Sequence, residues 1–110
     1  VNGAVNISGA SGFVLLGDPG DDSCAGNSFG SGVTLSNNHA GVEVSHNQKI
    51  GGTLTLSGNS GTALFDDAHP EVEANTILGN LNCYGDSPVA SNDGQHNTVN
   101  GARNGECAGF

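Results

Sequence analysis

Seven of the eleven acidic residues of this 110-residue chain lie in two short segments, 17–26 (GDPGDDSCAG) and 66–75 (DDAHPEVEAN). Asp18, Asp21, Asp22, Asp66 and Asp67 supply hard carboxylate oxygens, the donors that Ca2+ gathers about six to eight at a time. Their spacing matches neither an EF-hand loop nor the repetitive Ca2+-binding nonapeptide, so the same residues also read as a solvated acidic edge. His46 and His69 fall on that edge, and imidazole nitrogens are ligands for transition metals. His39 and His96 stand among turn residues.

Other chemistries find less material. Three cysteines are present, Cys24, Cys83 and Cys107, but no Cys-x-x-Cys or His pair has zinc-ligand spacing. The only basic residues are Lys49 and Arg103, and the formal net charge is −9. That balance argues against nucleic acid, whose phosphates must be neutralised by Lys and Arg, and against anionic membrane surfaces. No apolar run approaches the length of a membrane span, so no membrane insertion is expected. Polysaccharide cleavage needs paired carboxylates with a base in one groove, and Lys49 and Arg103 fall on different faces of the repeat described next. No enzymatic activity is therefore expected.

These residues are carried on a repeated phrase. The unit IGGTLTLSGNSGTALF, which begins at Ile50, recurs so that its first apolar residue is matched by Val1, Phe29, Ile77 and Val99. Four residues later come Val5, Val33, Leu54, Leu81 and, out of pattern, Arg103; two further on are Ile7, Leu35, Leu56 and Cys83. Seven beyond these come Val14, Val42 and Ala63, then Leu16, Val44 and Phe65. A spacing of two puts both side chains on one face of a strand, and the Gly and Asn breaks mark tight turns. A unit of about 21 residues with three short strands is one coil of a parallel β-solenoid. The chain is thus expected to be all-β, a right-handed β-helix of about five coils in a single domain, 1–110. A β-sandwich has strands of similar length but does not require one register in every phrase.

Asn suits the corners because it tolerates left-handed backbone and can stack amide on amide. Two such columns are expected, Asn27, Gln48, Asn75, Asn97 and Asn38, Asn59, Asp86. The long intervals in the repeat place insertions at 17–26 and 66–75, both after the same strand, which gathers the acidic residues on one edge. Outward positions Asn6, Thr34, Thr55 and Asn82 hold too few Thr for an ice-binding array. Phe13, Phe29 and Phe65 fall near or in inward columns, leaving few aromatic platforms for a glycan.

The segment DDSCAGNSFGSGVTLSNNHAGVEVSHN and the ending NTVNGARNGECAGF resemble a family of secreted actinobacterial surface proteins, Gly/Asn-rich parallel β-helices. The resemblance runs from about Gly17 to Phe110 and implies a secreted, cell-surface location. It also implies that the chain is the C-terminal part of a longer polypeptide, and it carries over no catalytic residue. Cys83 and Cys107 are one coil apart and are expected to form a disulfide that closes the last coil; Cys24 is left over, either free or paired outside the chain. Val1 sits at an inward position, so the first coil is expected to meet more coils or a second copy, giving a homo-oligomer or filament. The expected function is a non-catalytic extracellular structural or interaction module of a surface or self-assembling layer. The alternative is a Ca2+- or glycan-binding module that uses the acidic corner loops.

Overall fold

The computed structural model describes residues 1–61 and 69–110. Alternating apolar and small polar residues, broken every few positions by Gly or Asn, give short strands and no helix among the described residues. The strands are β1 (Val5–Ser8), β2 (Val14–Gly17), β3 (Ser28–Phe29), β4 (Val33–Ser36), β5 (Val42–Ser45) and β6 (Lys49–Ile50). They continue as β7 (Leu54–Ser57), β8 (Glu71–Glu73), β9 (Thr76–Ile77), β10 (Leu81–Tyr84), β11 (Thr98–Val99) and β12 (Arg103–Gly105). They form a five-stranded sheet, β1-β4-β7-β10-β12, a three-stranded sheet, β2-β5-β8, and a four-stranded sheet, β11-β9-β6-β3. Every pairing of these strands is parallel.

The registers of the five-stranded sheet are those the repeat predicts. Val5, Val33, Leu54 and Leu81 are successive partners, as are Ile7, Leu35, Leu56 and Cys83. From Val33 and Leu35 onward these side chains are fully buried. Asn6, Thr34, Thr55 and Asn82 form the outward column between them. Arg103 pairs with Leu81 yet stays exposed, and its guanidinium donates to the carbonyl of Asn97 at 3.0 Å. A charged residue is tolerated there because its long stem carries the charge out of the core. Glycine is obligatory where corners pass closest: a Cβ on Gly79 would stand 2.6 Å from the carbonyl carbon of Gly52.

Two side-chain ladders tie the corners together. In the first, Asn47, Asn75 and Asn97 each accept, through Oδ1, the backbone N–H and the Nδ2 of the preceding member, starting from Asn27, at 2.8–3.1 Å. Each also donates Nδ2 to a carbonyl of the three-stranded sheet's segments, Leu16, Val44 and Val72 respectively. The second runs Asn38, Asn59, Asp86 in the same manner. Buried backbone groups at a corner have no strand partner, and Asn offers an acceptor and two donors from one short side chain.

The expected member Gln48 is corrected to Asn47. One extra residue precedes β6, where the N–H groups of both Gln48 and Lys49 reach the carbonyl of Asn27, at 3.0 and 3.5 Å, and Gln48 is exposed. Counting back two residues from Ile50 therefore lands one place beyond the ladder.

A second correction concerns 66–75. Val44 pairs with Val72, not with Phe65, which with Ala63, Asp66 and Asp67 lies outside the described residues. Residues 71–73 are strand, so the extra length falls before β8, between Asn59 and Val72. The insertion at 17–26 does follow its strand, β2. No helix among the described residues is long and apolar enough to cross a membrane.

Candidate functional site

The outer face of the three-stranded sheet carries Glu43 and Ser45 on β5, paired in register with Glu71 and Glu73 on β8. Directly after β2, β5 and β8, Asp18, His46 and Ala74 occupy one corner in adjacent strand segments, with φ of 72°, 52° and 49°. Left-handed backbone is uncommon for residues with a Cβ, and here the same turn recurs three times without glycine. The turn brings an aspartate and a histidine from neighbouring segments to the rim of the glutamate face.

A cleft of about 360 Å3 opens there, lined by Asp18, Gly20, Asp21, His46, Glu71, Glu73, Asp93 and Gln95. Asp18, Glu43, Glu71 and Glu73 are each less than a tenth exposed. Among the described residues no Lys or Arg lines the cleft. Buried carboxylates are costly unless hydrogen bonds or cations offset the lost hydration. Asp18 Oδ2 accepts the N–H of Asp22 at 2.6 Å, while Glu73 accepts from Ser45 Oγ at 3.0 Å and from Gln95 Nε2 at 2.9 Å. His46 Nδ1 lies between the two acids, 3.9 Å from Asp18 Oδ1 and 3.7 Å from Glu73 Oε1, and 2.6 Å from Ser45 Oγ.

Ligand atoms of Asp18, His46 and Glu73 fall within 4.8 Å of one another, as do those of Asp18, Asp22 and Glu43. The first group, one imidazole and two carboxylates, is a donor set for first-row divalent metals. The second is all oxygen and suits Ca2+ or Mg2+. Of the acids singled out in the sequence, Asp18 belongs to both groups, Asp22 to the second, and Asp21 lines the cleft. Asp66 and Asp67 lie outside the described residues. His69 pairs with Asp93 instead, Nε2 to Oδ1 at 3.6 Å, and is not in either group.

Glu43 and Glu73 escaped the sequence-derived ligand set. The corner that they flank could be read from the repeat, since Asp18 and His46 each stand two residues after the aligned Leu16 and Val44, but nothing in the sequence marked the two glutamates as part of it. The sulfur atoms of Cys83 and Cys107 are at disulfide distance, with Cα atoms 5.3 Å apart, and Cys24 is free and exposed. Comparison of the chain with protein-family models, with curated proteins and with solved structures finds no match.

Proposed function

We propose that the chain is a rigid parallel β-solenoid, right-handed and of about five coils, that serves as a non-catalytic extracellular structural or interaction module. The observation that carries this reading is the pair of continuous ladders, in which buried Asn side chains replace strand hydrogen bonds at two corners. Such a scaffold resists local opening because each amide is held by both neighbours. The resemblance to secreted actinobacterial β-helix surface proteins and the sulfur pair at Cys83 and Cys107 support an extracellular setting. Self-association has a route through β1, which among the described residues pairs only with β4 and on which Val5 and Ile7 are partly exposed. Sedimentation velocity of the 110-residue chain across a concentration series tests it: mass should grow with concentration, and Val5→Lys should suppress the growth. A single monomeric species throughout counts against assembly.

A second reading, divalent-cation binding, is favoured by one specific observation, the convergence of Asp18, His46 and Glu73. The histidine shifts the preference expected from carboxylates alone, Ca2+, towards Mn2+ or Zn2+. Bound metal raises the melting temperature in proportion to the logarithm of its concentration over Kd. Mn2+ or Zn2+ should therefore stabilise the protein, and His46→Ala should abolish the effect while leaving any Ca2+ response. Equal melting temperatures with each metal and with chelator reject this reading.

A further inference from the structure

The second ladder ends in an acid where the pattern calls for an amide. Asn38 and Asn59 each donate Nδ2 twice, to the next ladder member and to a carbonyl of the five-stranded sheet, Ile7 and Leu35 respectively. Asp86 takes the next place. Its Oδ1 accepts the N–H of Asn59 at 2.8 Å and Nδ2 of Asn59 at 2.9 Å, as an Asn would. Its Oδ2 stands where the donating amide would be, is sealed from solvent and has no hydrogen-bond partner among the described residues. Asp86 as a whole is 5% exposed.

The residue that follows in the stack is another acid. Glu106 Oε1 accepts the N–H of Asp86 at 2.9 Å, and Oε2 accepts the N–H of Ala90 at 3.3 Å. Both Glu106 oxygens thus face backbone donors, while Oδ2 of Asp86 faces none. A second negative charge beside the Glu106 carboxylate, on a buried oxygen that no donor faces, is disfavoured, and the oxygen left to carry a proton is Oδ2. Glu106 is the charged group acting on Asp86. On its other side Asp86 meets the Asn59 amide, and His39 lies in the adjoining column, 3.4 Å from Ser60 Oγ, with Ser60 bridged to Ser87. Arg103 is engaged elsewhere, on Asn97.

We propose that Asp86 is the protonated end of the ladder, a pH-sensitive lock between Asn59 and Glu106 whose ionisation loosens the segment from Asp86 to Cys107. Burial is the main force that raises the carboxyl from 3.8 to about 6; the Asn59 bonds pull it down, and the charge of Glu106 raises it further. The sign follows from proton linkage. Between these two values the folded chain binds the proton and the unfolded chain does not. Stabilisation is complete below about 3.8 and is lost as pH rises through about 6. The lock is closed in mildly acidic surroundings and open in neutral ones.

The segment it controls is held elsewhere by short ties, the two-residue pairing of β11 with β9, the bridge of Ser91 to Glu71 and the Asn97 end of the first ladder. β12 pairs with β10 through three residues, and among the described residues no strand of the three-stranded sheet follows β8. The Asp86–Glu106 contact and the Cys83–Cys107 sulfurs lie side by side, since the N–H of Glu106 donates to the carbonyl of Cys83 at 2.8 Å.

Carboxyl-carbon NMR of the intact chain, titrated from acid to neutral pH, reads the proton directly. Asp86 should titrate near 6, and Glu106→Gln should move its midpoint down. Amide exchange at Asn59, Asp86 and Ala90, corrected for intrinsic chemistry, should speed up by about tenfold or more across that midpoint. The size follows from linkage, because raising a carboxyl pKa by one favours its protonated form about tenfold. Asp86→Asn should restore the amide ladder and remove this acceleration. An Asp86 midpoint in the ordinary carboxylate range, or exchange in Asp86→Asn that keeps the wild-type pH dependence, overturns the proposal. If Asp86→Asn fails to fold, the wild-type titration alone decides.

Discussion

Asn47 makes four side-chain hydrogen bonds from a position that is 1% exposed. Replacing it with Ala strands the donors of Asn27 and the acceptors on Leu16 and Asn75, and each buried group left unmet costs about 1–3 kcal/mol. Asn47→Ala should therefore lower the melting temperature by at least about 10 °C for a domain of this size. Gln48→Ala, one residue along and exposed, should change stability by no more than about 0.5 kcal/mol. Comparable losses from both would return the ladder to Gln48. That Asn repeats at one corner was legible in the sequence, because few other side chains stack on themselves while bonding backbone. Which Asn belonged was not legible, because a one-residue bulge before Ile50 leaves no compositional mark. The grouping of Asp18, Asp22 and Glu43 was hidden for a related reason: Glu43 looks like an ordinary outward strand residue until the loop after β2 folds against it.

The strands of the five-stranded sheet were the most readable elements, since their apolar pairs keep one register from Val5 to Leu81. The period of two there decides which side of the sheet a substitution meets. Leu54→Asp puts a charge at a fully buried site and should cost several kcal/mol, enough to unfold much of the protein at 25 °C. Thr55→Asp faces outward and should leave the denaturation midpoint nearly unchanged. Equal damage from both, measured by urea melts, would break the register. The third strand of the three-stranded sheet was misread because two apolar alternations compete for the place, Ala63 with Phe65 and the single Val72 between glutamates. Propensity favours the first. The second wins among the described residues because it sets Asn75 two residues after Glu73, as Asn47 stands two after Ser45, and so keeps the ladder in step.

At the scale of the whole molecule, the ties between described strands run chiefly between successive neighbours in each sheet. In the proposed solenoid, stability is then close to a sum of coil-to-coil interfaces, and the ends open before the middle. The interval closed by Cys83 and Cys107, 24 residues apart, contains β11 and β12, the last strands of their sheets. Cross-linking an interval of that length contributes about 3 kcal/mol in the chain-entropy model. The benefit is local: it acts only on states in which residues 84–106 have come loose. Cys83→Ser with Cys107→Ser should thus speed amide exchange at Leu81, Thr98 and Asn100, which bond to the neighbouring strand segments, by about a hundredfold, while Val33 and Leu54 exchange as before at low denaturant. Uniform acceleration over all five positions would mean that the chain unfolds as one unit, and the picture of stacked, separately opening coils would fall with it.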